Sequence, residues 1–450
     1  MRPLLLSLVA AASLAAQSAP SDSAVRAILT ERVDAGRFAG VAVGVVSRDN
    51  QRRVIAYGPN AGVQPFDGNT VFEIGSITKT FTASILADMV KKGELTLDDP
   101  VVKFLPAGTV IPERDGRQIS LLDLATQSSG LPGMPDNFKP KDNTNPYADY
   151  TVGQMYEFLG RYKLPRGIGE KYEYSNLGVG LLGHALALRA GRDYESVVIA
   201  RVLRPLGMKD TRITLSPSMQ RRLAPGHGPD GSAAHNWDLP TLAGAGALRS
   251  TVNDMLTYVR ANADSMSKPL GATLALAHGA RRPVSSVMAI GLAWHRLKTP
   301  AGNTLVWHNG GTGGYRTFAG YDEVTGQGIV VLSNTSQSVD DIGFHLLDAS
   351  VPLAPLPRVR KEVALSAEAL DKYLGTFQLA PTFALTITRD GAQLFAQATD
   401  QPRFALFAES DGEFFLKVVD AQVTFTKDAS GVVTGLVLHQ NGANMPGKKK

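Results

Sequence analysis

Ser76 and Lys79 stand three residues apart in the segment Phe72-Glu-Ile-Gly-Ser-Ile-Thr-Lys-Thr-Phe81. A glycine precedes the serine, and an apolar run with helical spacing (Ile85, Leu86, Met89, Val90) follows it. Residues three apart share a helix face, so this context holds a hydroxyl beside an amine. The start of a helix also favours developing negative charge. Together these make an activated serine nucleophile without a Ser-His-Asp triad. The pattern alone is weak. A second copy, Ser265-Met-Ser-Lys268, is followed by Pro269, sits among polar residues and reads as a surface loop.

Two further motifs change the odds. Tyr174-Ser175-Asn176 follows a Gly-rich turn (Gly167, Gly169) and precedes an apolar helix over Leu177 to Leu188. His308-Asn309-Gly310 ends a strand-like run, and Gly311, Gly313 and Gly314 follow, so backbone there can approach a ligand closely. Taken singly, each has an ordinary explanation. Ser175 or Asn176 can cap a helix, and a lone histidine at a strand end is most often a surface residue. Ser76 needs a group to take its proton. Lys79 qualifies if burial or a nearby cation lowers its pKa, and Tyr174 qualifies as a tyrosinate beside Lys79. The sequence leaves both open.

The elements that must position these residues follow from local pattern. Gly40 to Ser47 and Arg53 to Tyr57 form a hairpin about Arg48-Asp49-Asn50. Residues 76–91 read as a buried helix, and Ser120 to about Ala263 as mostly helical. Leu305 to His308, Arg316 to Tyr321 and Gly328 to Ser333 are consecutive strands. Strands from the two ends of this region make one sheet, with helices on its faces. Alternating prolines in Val351-Pro-Leu-Ala-Pro-Leu-Pro357 mark a linker. Beyond it, six short strand candidates between Thr382 and His439, separated by Asp/Gly/Ser turns, indicate a small all-β barrel.

In this order and context the three motifs resemble the serine β-lactamase and penicillin-binding-protein superfamily. The branch is that of class C β-lactamases, D-alanyl-D-alanine carboxypeptidases, D-aminopeptidases and related esterases. The segments Ile119 to Pro132, Pro205 to Thr211 and Gly244 to Ser250 support it. The resemblance implies an α/β (α+β) β-lactamase/transpeptidase-like domain, a mixed helical region on an antiparallel sheet. It also implies an acyl-ester on Ser76, with Lys79 and Tyr174 as catalytic partners. Asn176 would bond Lys79 or the substrate amide, and His308 would line the pocket from the strand edge. The Gly310-Gly311 backbone would face the substrate, the N–H of Gly311 joining that of Ser76 in an oxyanion hole. Class C β-lactamases carry a lysine where this chain has His308, and a histidine is shorter and mostly neutral near pH 7. Histidine there looks more like D-aminopeptidases and some carboxypeptidases. The expected activity is therefore cleavage of amides next to D-amino acids. The alternatives are a carboxylesterase of the same fold, and a weak β-lactamase or penicillin-binding sensor without turnover. Leu370-Asp-Lys-Tyr-Leu-Gly-Thr-Phe377 onward resembles the lipocalin-like barrel appended to some members. That barrel is expected to be filled by side chains, and to shape the site entrance or contacts between copies of the chain.

The expected division is a signal peptide over 1–19, a hydrolase domain over 20–350, a linker over 351–363 and a barrel over 364–445. Arg2, an apolar run from Leu4 to Ala16 and small residues after it give the export signal. That run is too short to anchor the chain stably in a membrane. A periplasmic or secreted location follows. The chain has no cysteine, which excludes thiolate metal sites and a cysteine nucleophile. Net charge is +5 without a basic stripe, so nucleic acid is not an expected partner; a small molecule or short peptide is. Lys448-Lys449-Lys450 reads as a solvated tail. Gly178-Val-Gly-Leu-Leu-Gly183 matches a dinucleotide fingerprint but lies within a helix and follows no strand. His227 and His235 lack metal-ligand spacing, so neither cofactor nor metal is expected.

Overall fold

Val41-Ala-Val-Gly-Val-Val46 is apolar at every position, as suits a strand covered on both faces. In the computed structural model it is β1 (Val41–Val46), buried throughout. The structure describes residues 20–58, 65–264, 266, 269–356, 360–381, 383–399, 401–417, 421–440 and 443–450. The expected signal peptide lies outside these residues, as do Ser265, Ser267 and Lys268 of the second Ser-x-x-Lys.

β1 pairs antiparallel with β2 (Arg52–Tyr57), forming the expected hairpin. Six more strands come from the far end of the domain: β3 (Arg282–Pro283), β4 (Met288–Ile290), β5 (His295–Lys298), β6 (Thr304–Gly311), β7 (Arg316–Asp322) and β8 (Gly328–Ser333). The sheet runs β2-β1-β8-β7-β6-β5-β4-β3, with every pairing antiparallel. The sequence reading missed β3, β4 and β5; only the last carries a residue near the site.

Both sheet faces are covered. Helices α1 (Asp22–Asp34) and α5 (Asp340–Leu347) pack Val25, Leu29, Ile342 and Leu346 against Val43, Phe318 and Val331. On the other face lie α2 (Thr78–Lys91) and α4 (Val252–Ala263), packed with the helical region into the larger core. Helix α3 (Asn176–Ala190) is buried on nearly all sides, and its glycines are packing devices. A Cβ on Gly183 would come within 2.9 Å of the Gly244 Cα, and one on Gly180 within 2.4 Å of Leu242. This close approach holds the Gly244–Gly246 backbone against α3 and α2.

The described residues divide into two compact units, one up to His227 with Ala233–Ala354, the other Gly228–Ser232 with Pro355–Lys450. The second contains a closed eight-stranded barrel, from Gly375–Ala380 to Ala443–Lys449. Phe377, Phe414, Phe425 and Tyr373 pack ring against ring in its core, so side chains occupy it. The lysine tail reading is corrected here. Lys448 and Lys449 belong to the closing strand, opposite Gln378 and Phe377. Ala443-Asn-Met-Pro-Gly-Lys-Lys449 shows no alternation, so only its ladder with Val433–Gln440 reveals it as a strand. Among the described residues no helix is long and apolar enough to cross a membrane.

Gly183→Val should force α3 off Gly244. Overpacking of this kind costs about 1–3 kcal/mol, and a lowered denaturant midpoint would report it. An unchanged midpoint would mean this contact has slack.

Candidate active site

Ser76 lies in a short 3-10 helix (Gly75–Ile77), and α2 begins at Thr78. The expectation of a single helix over 76–91 is thus corrected at its start: a tighter turn precedes it. N–H groups in a first helical turn have no intrahelical carbonyl, which leaves the Ser76 amide available. Gly75 has φ of +49°, in the left-handed region that favours glycine. The turn is fixed from two sides. Ile74 N–H donates to Leu248 O (3.0 Å), and Thr317 Oγ1 donates to Ile74 O (3.0 Å).

Lys79 extends from the first turn of α2 and is wholly buried. Its Nζ lies 2.9 Å from Ser76 Oγ, 2.7 Å from Asn176 Oδ1 and 2.7 Å from Ala245 O. No carboxylate lies within ion-pair distance of it among the described residues. Glu73, the acid nearest in sequence, instead pairs with Arg249 at 3.2 Å. Burial without a counter-ion drives the Lys79 pKa well below the ordinary lysine value. The three hydrogen-bond partners of Lys79 Nζ among the described residues are thus the oxygens of Ser76, Asn176 and Ala245.

Tyr174 and Asn176 flank the cap of α3. The Ser175 hydroxyl accepts from Gly178 N–H (2.8 Å) and donates to Pro132 O (2.6 Å). The ordinary cap and the functional motif therefore coexist, the cap presenting both neighbours to the site. Asn176 Nδ2 donates to Tyr147 Oη at 3.3 Å, which orients its oxygen toward Lys79. The Tyr174 ring lies 4.8 Å from Lys79 Nζ. Burial raises the Tyr174 pKa, with its Ser76 hydrogen bond acting the other way, so the phenol keeps its proton at neutral pH.

Strand β6 supplies the opposite wall. Its ladder with β5 ends at Trp307, so His308 to Gly311 run on with an open edge. A Cβ on Gly310 would strike Ile74 O at 2.0 Å, and one on Gly75 would strike Gly311 N at 2.6 Å. The missing side chains let strand and turn meet, which brings the Ser76 and Gly311 amides together. His308 is fully buried, and its Nδ1–H donates to Asn309 O at 2.6 Å. Its Nε2 is left as an acceptor without a partner. Burial, then His295 and Lys79, hold its pKa well below the ordinary value. The His308 ring lies 5.1 Å from that of His295, tilted by 49°, and His295 Nε2 meets Tyr172 Oη at 3.0 Å.

All seven residues expected at the site therefore converge. Tyr147, Tyr172, Ala245 and His295 escaped the sequence reading. Ala245 acts through its backbone, which no residue type signals, and the other three lie outside any motif.

Comparison with known proteins agrees with this geometry. The family model described as Beta-lactamase matches residues 25–351. The chain belongs to the beta-lactamase family. A second model, Domain of unknown function (DUF3471), matches residues 359–449. This family member is 31% identical over 328 residues to the D-alanyl-D-alanine-carboxypeptidase/endopeptidase AmpH of Escherichia coli strain K12, covering 67% of this chain and 83% of that protein. It is 29% identical over 331 residues to a beta-lactamase of Pseudomonas fluorescens (66% and 88%) and 26% identical over 413 residues to penicillin-binding protein 4* of Bacillus subtilis (84% and 88%). A Yersinia pestis beta-lactamase/D-alanine carboxypeptidase has the same fold, with TM-score 0.62 and 24% identity over 73% of this chain and 96% of that one. As a member of this family the protein is a serine hydrolase.

The lowered pKa of Lys79 gives a linkage prediction. Its folded pKa is lowered from 10.5, so between the folded value and 10.5 the unfolded chain binds the extra proton. Stability from this group rises with pH across that window and is level above it. Relative to Lys79→Met, the wild type should gain stability between pH 7 and pH 10, measured as the difference in denaturant midpoints. A difference independent of pH would mean that Lys79 is charged in the fold.

Proposed function

We propose that the protein is an exported hydrolase that cleaves amide bonds next to D-amino acids, as a D-aminopeptidase or DD-carboxypeptidase, through an acyl-enzyme on Ser76. The observation that carries it is the buried Lys79 amine, its Nζ 2.9 Å from Ser76 Oγ and held in place by Asn176 Oδ1 and Ala245 O. Ser76 Oγ attacks the substrate carbonyl carbon while its proton passes to Lys79 Nζ. Negative charge grows on the carbonyl oxygen, between the N–H groups of Ser76 and Gly311. The C–N bond breaks and the leaving nitrogen takes a proton from the Tyr174 phenol, which Lys79 restores. Water reverses the sequence on the acyl-ester.

His308 supports the choice of substrate. A lysine at this position would be a cation, whereas Nε2 of neutral His308 is an acceptor. A wall without that cation suits a short peptide extended along the open edge of β6. The name of the Escherichia coli relative agrees with D-alanyl substrates. Export rests on the N-terminal charge and apolar pattern.

The test is kinetic, on matched D- and L-alanyl p-nitroanilides, p-nitrophenyl acetate and benzylpenicillin. The D-anilide should exceed the L-anilide in kcat/KM by at least about tenfold. Ser76→Ala should abolish turnover and Lys79→Ala should lower it by about 10²–10⁴-fold. Turnover of the ester alone would make the protein a carboxylesterase. Fast turnover of benzylpenicillin would make it a β-lactamase.

A further inference from the structure

Two aromatic rings outside every motif meet beside Asn176. The Tyr147 hydroxyl accepts from Asn176 Nδ2 (3.3 Å), and the Tyr147 ring lies 5.3 Å from that of Trp237, tilted by 51°. Trp237 in turn reaches the far wall, its Nε1 lying 2.8 Å from the place where a Cβ on Gly313 would be. Gly313 stands two residues beyond Gly311. The pair therefore spans from the amide that holds Lys79 to the loop that follows the Gly311 N–H. It is also fixed from several sides. Trp237 N–H donates to Oε1 of Glu73 (2.9 Å), three residues before Ser76, and Trp237 O accepts from Arg249 Nη2 (2.9 Å). The following residue, Asp238, donates its N–H to Asn145 Oδ1 (2.8 Å) and accepts from Asn145 Nδ2 (2.9 Å), two residues before Tyr147. Phe138 backs Tyr147 with a third ring at 5.1 Å. Trp237 is half-buried, yet Nε1, the one polar atom of its side chain, is sealed from water. What that side chain presents to water is ring carbon.

We propose that Trp237, backed by Tyr147, determines specificity: its ring takes the side chain of the residue whose carbonyl Ser76 attacks, and so favours acyl residues with an aromatic or large apolar side chain. This rests on the acyl-enzyme reading above and names, within it, the acyl residue. The flank follows from where the rings gather. In that reading the leaving nitrogen meets the Tyr174 phenol, and His308 lies on that side, its ring 6.4 Å from Tyr174. Tyr147 and Trp237 gather about Asn176 instead, and among the described residues neither ring contacts His308 or His295. The acyl part, on the other side of the scissile carbonyl, is what comes to them. An apolar side chain laid on these rings leaves water without losing a hydrogen bond, and an aromatic one adds ring–ring attraction. The wall is already fixed by Glu73, Arg249 and Asn145, so little conformational freedom is lost when it is covered. The methyl of an alanine offers too little area for this contact.

The full chain is compared on p-nitrophenyl acetate and p-nitrophenyl 3-phenylpropionate. The second carries the acyl group of phenylalanine without its amine, so the comparison needs an acyl-enzyme but no particular leaving residue. Each kcat/KM is divided by the hydrolysis rate of the same ester in buffer. The aromatic ester should exceed the acetate by at least about tenfold. Trp237→Ala should bring the ratio close to one, while Trp237→Phe, which keeps a ring in place, should retain most of it. A ratio near one in the wild type would overturn the proposal, as would a ratio that survives Trp237→Ala or a loss shared equally by both esters. Turnover that persists in Ser76→Ala, or no turnover of either ester by the wild type, would overturn the acyl-enzyme reading and the proposal with it.

Discussion

One amine is buried without a counter-ion, and the site is arranged around that fact. Taking an ammonium out of water is so unfavourable that a lone buried lysine gives up its proton instead. Lys79 Nζ has oxygens on three sides, those of Ser76, Asn176 and Ala245, and no carboxylate within ion-pair distance among the described residues. A carboxylate beside it would restore the charge and remove the base. Glu73 and Asp123, the acids in the flanking segments, are each bound to arginine instead. The arginine pairing of neighbouring acids is thus as much a part of the catalytic arrangement as the lysine.

The second constraint is backbone proximity. The Ser76 turn and the end of β6 approach so closely that neither Gly75 nor Gly310 has room for a Cβ. Gly183 and Gly244 do the same for α3 and the segment bearing the Ala245 carbonyl. Small residues at these crossings convert long-range packing into the sub-ångström placement that proton transfer needs. Substitution there would disturb chemistry without touching a reactive atom.

Much of this was legible in the sequence, for physical reasons. Ser76, Lys79, Tyr174 and Asn176 sit at element boundaries, where cap residues, glycines and apolar runs mark start and end, and His308 precedes the glycines that close β6. The buried strands β1 and β8 announce themselves as unbroken apolar runs. The 3-10 turn at Ser76 was not legible, because it arises from contacts with Leu248 and Thr317, far away in the chain. Nor was the barrel's closing strand, whose Pro446-Gly-Lys-Lys449 has no strand propensity and takes its conformation from its neighbours. The engagement of Lys79 by a main-chain carbonyl, and of Asn176 by Tyr147, belong to tertiary structure alone.

The account stands or falls on the protonation state of Lys79. Its ε-carbon can be followed by NMR as pH is raised, with the signal assigned by comparison with Lys79→Met. A chemical-shift transition well below the ordinary lysine range near 10.4, moved when Asn176 is replaced by Ala, is the predicted result. A Lys79 that titrates at or above that range would be a buried cation, and the base that activates Ser76 would have to be sought in Tyr174.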